Sequence, residues 1–220
     1  MSSLKPLILY SHAGGPNPWK VAIILEELGL PYEAKVLDFT AAKEEPFISL
    51  NPNGRLPGFE DPNTKISLWE SGAIIDYLID QYDTSHKLSY ANSPEKYQTR
   101  VWEHFQMSGQ GPYFGQLVWF TRYHAEKVPS AVTRYANEVK RVTGVIDAHL
   151  KKQKTEYLVG DKVTYADLMF IPWALSIVFL AEDLNLDEYD AYSAWLKRLT
   201  DRPAVAKLWK QTQEAFAAKK

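Results

Sequence analysis

The spacing of apolar residues changes character once along this chain, near residue 84, and that change limits the fold more than any other feature. Before it, short strand-like runs alternate with helical stripes, each closed by proline or glycine. After it, every apolar pattern has the helical period. Leu7-Ile-Leu-Tyr10 reads as a buried strand that ends in Ser11-His-Ala-Gly-Gly-Pro16. Asn17 then precedes Pro18, and a stripe at Val21, Ile24, Leu25 and Leu28 stops at Gly29. That is helix grammar, with a capping residue, proline at the first position and glycine after the end. Residues 32–37 resume as a strand, 46–50 form a short helical turn, and 56–59 and 65–68 read as two more strands. Ile74, Ile75, Leu78, Ile79 and Tyr82 form a helical face. The resulting order, strand, helix, strand, short helix, strand, strand, helix, makes the first part α/β.

Residues 84–93 are polar and without period, so the expected division is a first domain over 1–84, a linker over 85–93 and an all-α domain over 94–220. The expected helices there cover 94–107, 113–126, 129–153, 165–184 and two shorter segments, the last over 203–216, with a glycine-rich break at 108–112. Thr164-Tyr-Ala-Asp167 is a capping box and places a helix N-terminus. With 220 residues the chain can bury a substantial core in two small domains.

Composition removes several chemistries. The chain has no cysteine, which excludes disulfides, thiolate metal sites and a redox cycle on the protein's own sulfur. The five histidines, His12, His86, His104, His124 and His149, have no metal-ligand spacing, so no metal is expected. A net charge of −2 gives no field to draw nucleic acid or an anionic membrane. That charge is uneven, with 6 Lys+Arg against 12 Asp+Glu in residues 1–85. The N-terminus lacks a signal-peptide pattern, and the longest apolar stretch, residues 168–181, is interrupted by Pro172 and Ser176 and shorter than the roughly 20 residues a bilayer span needs. A cytoplasmic location is the expectation.

Two adjacent segments carry the chemistry. Asn51-Pro-Asn-Gly-Arg-Leu-Pro-Gly-Phe-Glu-Asp61 is a loop that stops at a proline. Leu68-Trp-Glu-Ser-Gly-Ala-Ile-Ile-Asp-Tyr-Leu78 sets an acid and a serine at the start of an amphipathic helix. Together they suit a small peptide held by its backbone and its charged end.

With the Leu56-Pro57 dipeptide, the Glu70-Ser71 pair, the helical second part and the Thr164-x-x-Asp167 box in this order, the chain resembles the cytosolic glutathione transferases over nearly its whole length. Ser11-His-Ala-Gly-Gly-Pro-Asn-Pro-Trp-Lys-Val21, Asn51-Pro-Asn-Gly-Arg55 and Trp69-Glu-Ser-Gly-Ala73 are most similar to the fungal nitrogen-regulator-like (Ure-type) and bacterial nu-class groups. Phe105-Gln-Met-Ser-Gly109, Glu138-Val-Lys-Arg-Val142 and Tyr157-Leu-Val-Gly-Asp-Lys162 in the second part resemble the same groups.

The resemblance implies a thioredoxin-like first domain with a mixed sheet, glutathione as co-substrate and a homodimer. It implies a cis Leu56-Pro57 bond that turns the backbone of Leu56 toward the cysteinyl unit of glutathione, as an added strand would be. It points to Glu70 as acceptor for the γ-glutamyl ammonium and to Ser71 for the carboxylate. Ser71 as a helix cap and Glu70 as a first-turn acid is the alternative. Lys43 is a candidate for the glycine carboxylate, and Arg55 for supporting the loop or touching ligand. Asn17 is the implied stabiliser of the thiolate, with Ser11 as its alternative and Tyr10 behind it. An acceptor site is expected between the domains, with Tyr113, Phe114, Trp119, Phe120, Arg122 and Tyr123 as its candidates and helical core as the competing use of that cluster. The expected activity is transfer of glutathione to an electrophile, or reduction of a hydroperoxide or disulfide, with the last two favoured. A non-enzymatic regulator of the same fold is the alternative, disfavoured by the absence of the Asn/Gln-rich tail found in the nitrogen-regulator relative.

Overall fold

The computed structural model describes residues 4–12, 14–180 and 184–217 and divides by contacts into two compact units. One comprises residues 1–87 and 202–220, the other 88–201.

In the first unit, strands β1 (Leu7–Ser11), β2 (Tyr32–Val36), β3 (Gly58–Asp61) and β4 (Ile66–Trp69) form one sheet in the order β2-β1-β3-β4. β1 runs parallel to β2 and antiparallel to β3, and β3 is antiparallel to β4. The crossover from β1 to β2 is helix α1 (Pro16–Leu28), as a parallel pair requires. α2 (Phe47–Leu50) and α3 (Ser71–Tyr82) complete the order that the apolar spacing predicts. Val21, Ile23, Ile24 and Leu25 of α1 are buried with Ile74, Ile75 and Leu78 of α3, and Gly29 closes α1 in the left-handed conformation at φ 67°. Gly58 is the tight point of the sheet, because a Cβ there would lie 2.7 Å from the Phe47 ring.

The last helix, α10 (Pro203–Ala217), belongs to this unit and not to the helical one expected over 94–220. The cause is a set of contacts with α1. The Arg202 guanidinium grips Glu27 through two bonds of 2.7 and 2.8 Å, Lys207 bonds Glu26 at 2.8 Å, and Trp209 stacks on Trp19 with ring centroids 5.4 Å apart. Apolar periodicity marks α10 as a helix but says nothing of which core receives it.

The second unit contains α4 (Glu95–Phe105), α5 (Gly111–Val118), α6 (Pro129–Gln153), α7 (Tyr165–Met169), α8 (Ile171–Leu180) and α9 (Asp190–Thr200). Its core gathers Phe114, Leu117, Val118, Val139, Val142 and Ile177. The expected break at 108–112 is absent, since residues 106–110 form a π-helical turn that leads directly into α5. Gly109 in that stretch lies against the Phe105 ring, 3.4 Å from where its Cβ would stand, and Gly115 just beyond it is the tight point, where a Cβ would come within 3.1 Å of the Trp173 indole. The expected 165–184 helix is two helices meeting at Phe170, and residues 181–183 of it lie outside the described residues. The expected linker is anchored from residue 88 onward. Leu88 is buried and accepts from Tyr165 N at 2.8 Å, and Ser89 O accepts from Lys162 Nζ at 2.6 Å.

The capping box forms as expected, and Asp167 does more than cap. It takes bonds from Thr164 N and Oγ1, Leu158 N and the Trp195 indole, at 2.7–2.9 Å. Among the described residues no helix is long and apolar enough to cross a membrane.

Candidate active site

Strand register places the sequence-predicted binding residues of the first unit at one end of the sheet. Tyr10 pairs with Gly58, and Gly58 pairs with Trp69. The next residue on each strand is therefore Ser11 at the end of β1, Pro57 before β3 and Glu70 after β4. Helix α1 starts five residues beyond Ser11, and α3 starts immediately after Glu70. Two helix N-termini, each with a partial positive charge and open N–H groups, thus stand at the same edge.

The Leu56-Pro57 bond is cis. The loop before it is held by Asn51, which is buried, donates through Nδ2 to Arg55 O at 2.5 Å and accepts from Asn53 N at 3.0 Å. Arg55 is thus positioned through its carbonyl, while its side chain is exposed. Lys43 is also exposed, with its stem beside the Gly54 turn.

Glu70 is the N-cap residue of α3 and has φ 70° and ψ 120°. Positive φ in a residue with a Cβ costs on the order of 1–3 kcal/mol and gathers at functional sites. The strain aims the exposed Glu70 while Ser71, the first residue of the helix, is buried. Ser71 is therefore not the cap of α3.

A residue that the motifs do not single out lies beneath this pair. Lys20 is 2% exposed, and its Nζ donates to Ser71 Oγ across 3.4 Å. Burial pulls its ammonium down to about 7, and the Glu70 carboxylate partly opposes that fall. The sequence signal was a lone charge inside the apolar run from Trp19 to Leu25. Composition treats such a lysine as one more surface charge.

Asn17 also sits differently from its expected place. The cap of α1 is Gly15, Pro16 is the first helical residue, and Asn17 lies inside the first turn. Because Pro16 and Pro18 have no N–H, Asn17 carries the backbone donor of the first three helical positions as well as a side-chain amide. Ser11 O accepts from Leu37 N at 2.8 Å, and its side chain is half-buried. Tyr10 is committed elsewhere: its hydroxyl donates to Glu60 at 2.8 Å, and burial with that carboxylate pushes it up to about 12.

The aromatic candidates in the second unit separate. Phe114, 1% exposed, belongs to the core and not to an acceptor surface, because α5 turns that face toward α6. Trp119 and Tyr123 are 49% and 65% exposed and lie with Phe120 and Arg122 on a π-helical turn over residues 119–123. Phe120 stacks on Tyr135 at 5.7 Å, and Tyr113 meets the same ring at 6.4 Å. Tyr135 is a member that the sequence reading lacks. Among the described residues no cluster of His, Asp and Glu could hold a metal ion.

The chain matches the family models for the glutathione S-transferase N-terminal domain over residues 5–80 and C-terminal domain over residues 112–203. It is 52% identical over 210 residues to the glutathione S-transferase-like protein OpS6 of Beauveria bassiana, covering 94% of this chain and 96% of that one. It is 35% identical over 240 residues to the transcriptional regulator URE2 of Saccharomyces cerevisiae, covering 93% of this chain and 68% of that one. Among solved structures, the glutathione transferase URE2P6 of Phanerochaete chrysosporium in complex with oxidized glutathione has a TM-score of 0.88 at 47% identity, over 97% of this chain and 99% of that one. A glutathione transferase homolog from Lodderomyces elongisporus with two GSH per subunit has a TM-score of 0.88 at 38% identity, over 94% and 99% of the two chains.

Proposed function

The chain belongs to the glutathione S-transferase family, and from that footing we propose that it activates the thiol of glutathione for reaction with an electrophile, a hydroperoxide or a disulfide. The observation that carries the binding part is the start of α3, where strained Glu70 and buried Ser71 stand one strand-register step from the cis Leu56-Pro57 bond. Glu70 accepts from the γ-glutamyl ammonium. Ser71 and the first N–H groups of α3 hold the α-carboxylate. The backbone of Leu56, turned by Pro57, pairs with the cysteinyl unit, Lys43 meets the glycine carboxylate as a point charge, and Arg55 supports the loop.

Thiolate formation falls to Asn17, with Ser11 as the alternative. A free thiol titrates near 8.5, and each unit of lowering needs about 1.4 kcal/mol of preference for the anion. Asn17 offers an amide donor at a helix N-terminus, and capping is not its task because Gly15 holds that position. Asn17→Asp removes the donor and sets a negative charge beside the sulfur, so turnover falls by about 100-fold, equivalent to two units of thiol pKa. Stability stays within about 0.5 kcal/mol, since an acid in the first turn suits the helix dipole. Unchanged turnover, measured with cumene hydroperoxide, a mixed disulfide and an aromatic chloride, would remove Asn17 from the mechanism and leave Ser11→Ala as the next variant.

Peroxide and disulfide reduction are favoured over aryl-halide conjugation. With no cysteine in the chain, both electrons for a disulfide come from two glutathione molecules, and the Lodderomyces relative was crystallised with two GSH per subunit. The exposed Trp119, Tyr123 and Arg122, with Phe120 and Tyr113, offer the acceptor an aromatic, partly charged surface. A homodimer is part of the same reading, and sedimentation at micromolar concentration should give twice the chain mass of 25.2 kDa. A monomer there would sink it. The likeness to a transcriptional regulator favours one other reading, a non-enzymatic regulator on this fold. Inactivity toward all three substrates would revive that reading against the enzyme.

A further inference from the structure

Lys20 sits on α1 three residues after Asn17, so the two lie on one face of the helix. Its stem is sealed from water, and its Nζ reaches the Ser71 hydroxyl at the opening turn of α3. An ammonium at a helix N-terminus meets partial positive charge of its own sign. The arrangement gains when an anion arrives, and the exposed Glu70 carboxylate beside it complements a ligand that also carries an ammonium. A lysine, unlike an arginine, can shed its charge in such a place until the anion is present.

We propose that Lys20 is a positioning residue for the γ-glutamyl end of glutathione, and that the α-carboxylate is captured together with a solvent proton that comes to rest on Lys20 Nζ. This deepens the glutathione reading of the site and rests on it. In the absence of ligand, burial holds the Lys20 ammonium near 7. The Glu70 carboxylate opposes the fall. The other elements against α1 present groups already engaged: Tyr10 of β1 bonds Glu60, while Arg202 and Lys207, at the start of and within α10, bond Glu27 and Glu26. A carboxylate brought to the Ser71 turn favours the charged form. Binding therefore weakens as pH rises past 7, whereas thiolate formation strengthens. The two demands oppose each other, and kcat/KM for glutathione is bell-shaped while kcat rises with pH.

The test uses the full chain and S-methylglutathione, whose blocked sulfur cannot titrate. Affinity should fall about tenfold between pH 6 and pH 8, the loss expected when one proton must be supplied to a group of pKa near 7. Calorimetry at pH 8 in buffers of different ionisation enthalpy should show uptake of most of one proton beyond that of Lys20→Arg. That variant, permanently charged, should bind with an affinity that changes less than about twofold over the same range. Wild-type affinity that is flat from pH 6 to 8, or proton uptake equal in the two proteins, overturns the proposal while leaving the glutathione site standing. Failure of the wild type to bind S-methylglutathione at any pH overturns both. If Lys20→Arg does not fold, the wild-type pH series decides alone, tenfold supporting the proposal and flat overturning it.

Discussion

Asp167 and Lys20 are both sealed from solvent, one in each unit, and the fold treats them in opposite ways. Around Asp167 the chain supplies donors from a loop residue, a helix cap and a distant indole. Burial still raises its carboxyl, and those bonds pull it back toward the ionised form. Around Lys20 one bond is a long one to the Ser71 hydroxyl, the helix end beside it is of like sign, and the neighbouring acid is held exposed in a strained conformation. A buried charge saturated from within ties loops to helices. One placed at the mouth of a helix beside stored strain is arranged for something that arrives from outside.

Substitutions can break this contrast. The largest effect is expected from Asp167→Ala, which strands the N–H groups of Leu158, Thr164 and Trp195 without their acceptor. It should cost roughly 3–5 kcal/mol in chemical denaturation. A loss below about 1 kcal/mol would mean that the network is incidental to the fold. Lys20→Met should act in the other direction and more weakly. In the unfolded chain this lysine stays charged up to its usual 10.5, while in the folded protein it loses its proton near 7. The unfolded state therefore holds more protons between those values, and the stability due to this group rises with pH across that window. The burden of burying the charge is complete below pH 7, so the methionine variant should gain on the order of 1–3 kcal/mol at pH 6 and progressively less toward pH 9. Equal gains at both pH values, followed by thermal melting, would show that Lys20 does not titrate in the fold.

The two residues also differ in how far the sequence announced them. Asp167 stands three residues after Thr164 ahead of an apolar run, a local pattern whose meaning is contained in its own helix. Even so, the bond from Trp195, 28 positions later, lies beyond any local rule. Lys20 has only the sign of a lone charge in an apolar run, which names no role. Its significance comes from Ser71, 51 residues away, brought near by the packing of α1 on α3. Asn17 shows the same limit in miniature: Asn before Pro reads as a cap, yet Gly15 takes that place because proline fits the first helical position and the preceding glycine accepts the extended backbone. Phe114 and Tyr123 lie nine residues apart in one aromatic stretch, and periodicity could not tell which would enter the core.

From the sequence alone came the order of elements in the first 82 residues, the helical character of the rest of the chain, the Leu56-Pro57 and Glu70-Ser71 pairs and the absence of sulfur chemistry. Each depends on short-range rules: φ restriction at proline, side-chain period along a strand or helix, and the chemical inventory of residue types. Tertiary structure decided that the final helix returns to α1, that the 108–112 stretch continues as helix with Gly115 packed against Trp173, and that a lysine lies under the head of α3. Those outcomes depend on which distant surfaces exclude water together, and that free energy belongs to pairs of elements, so no single stretch of residues carries it.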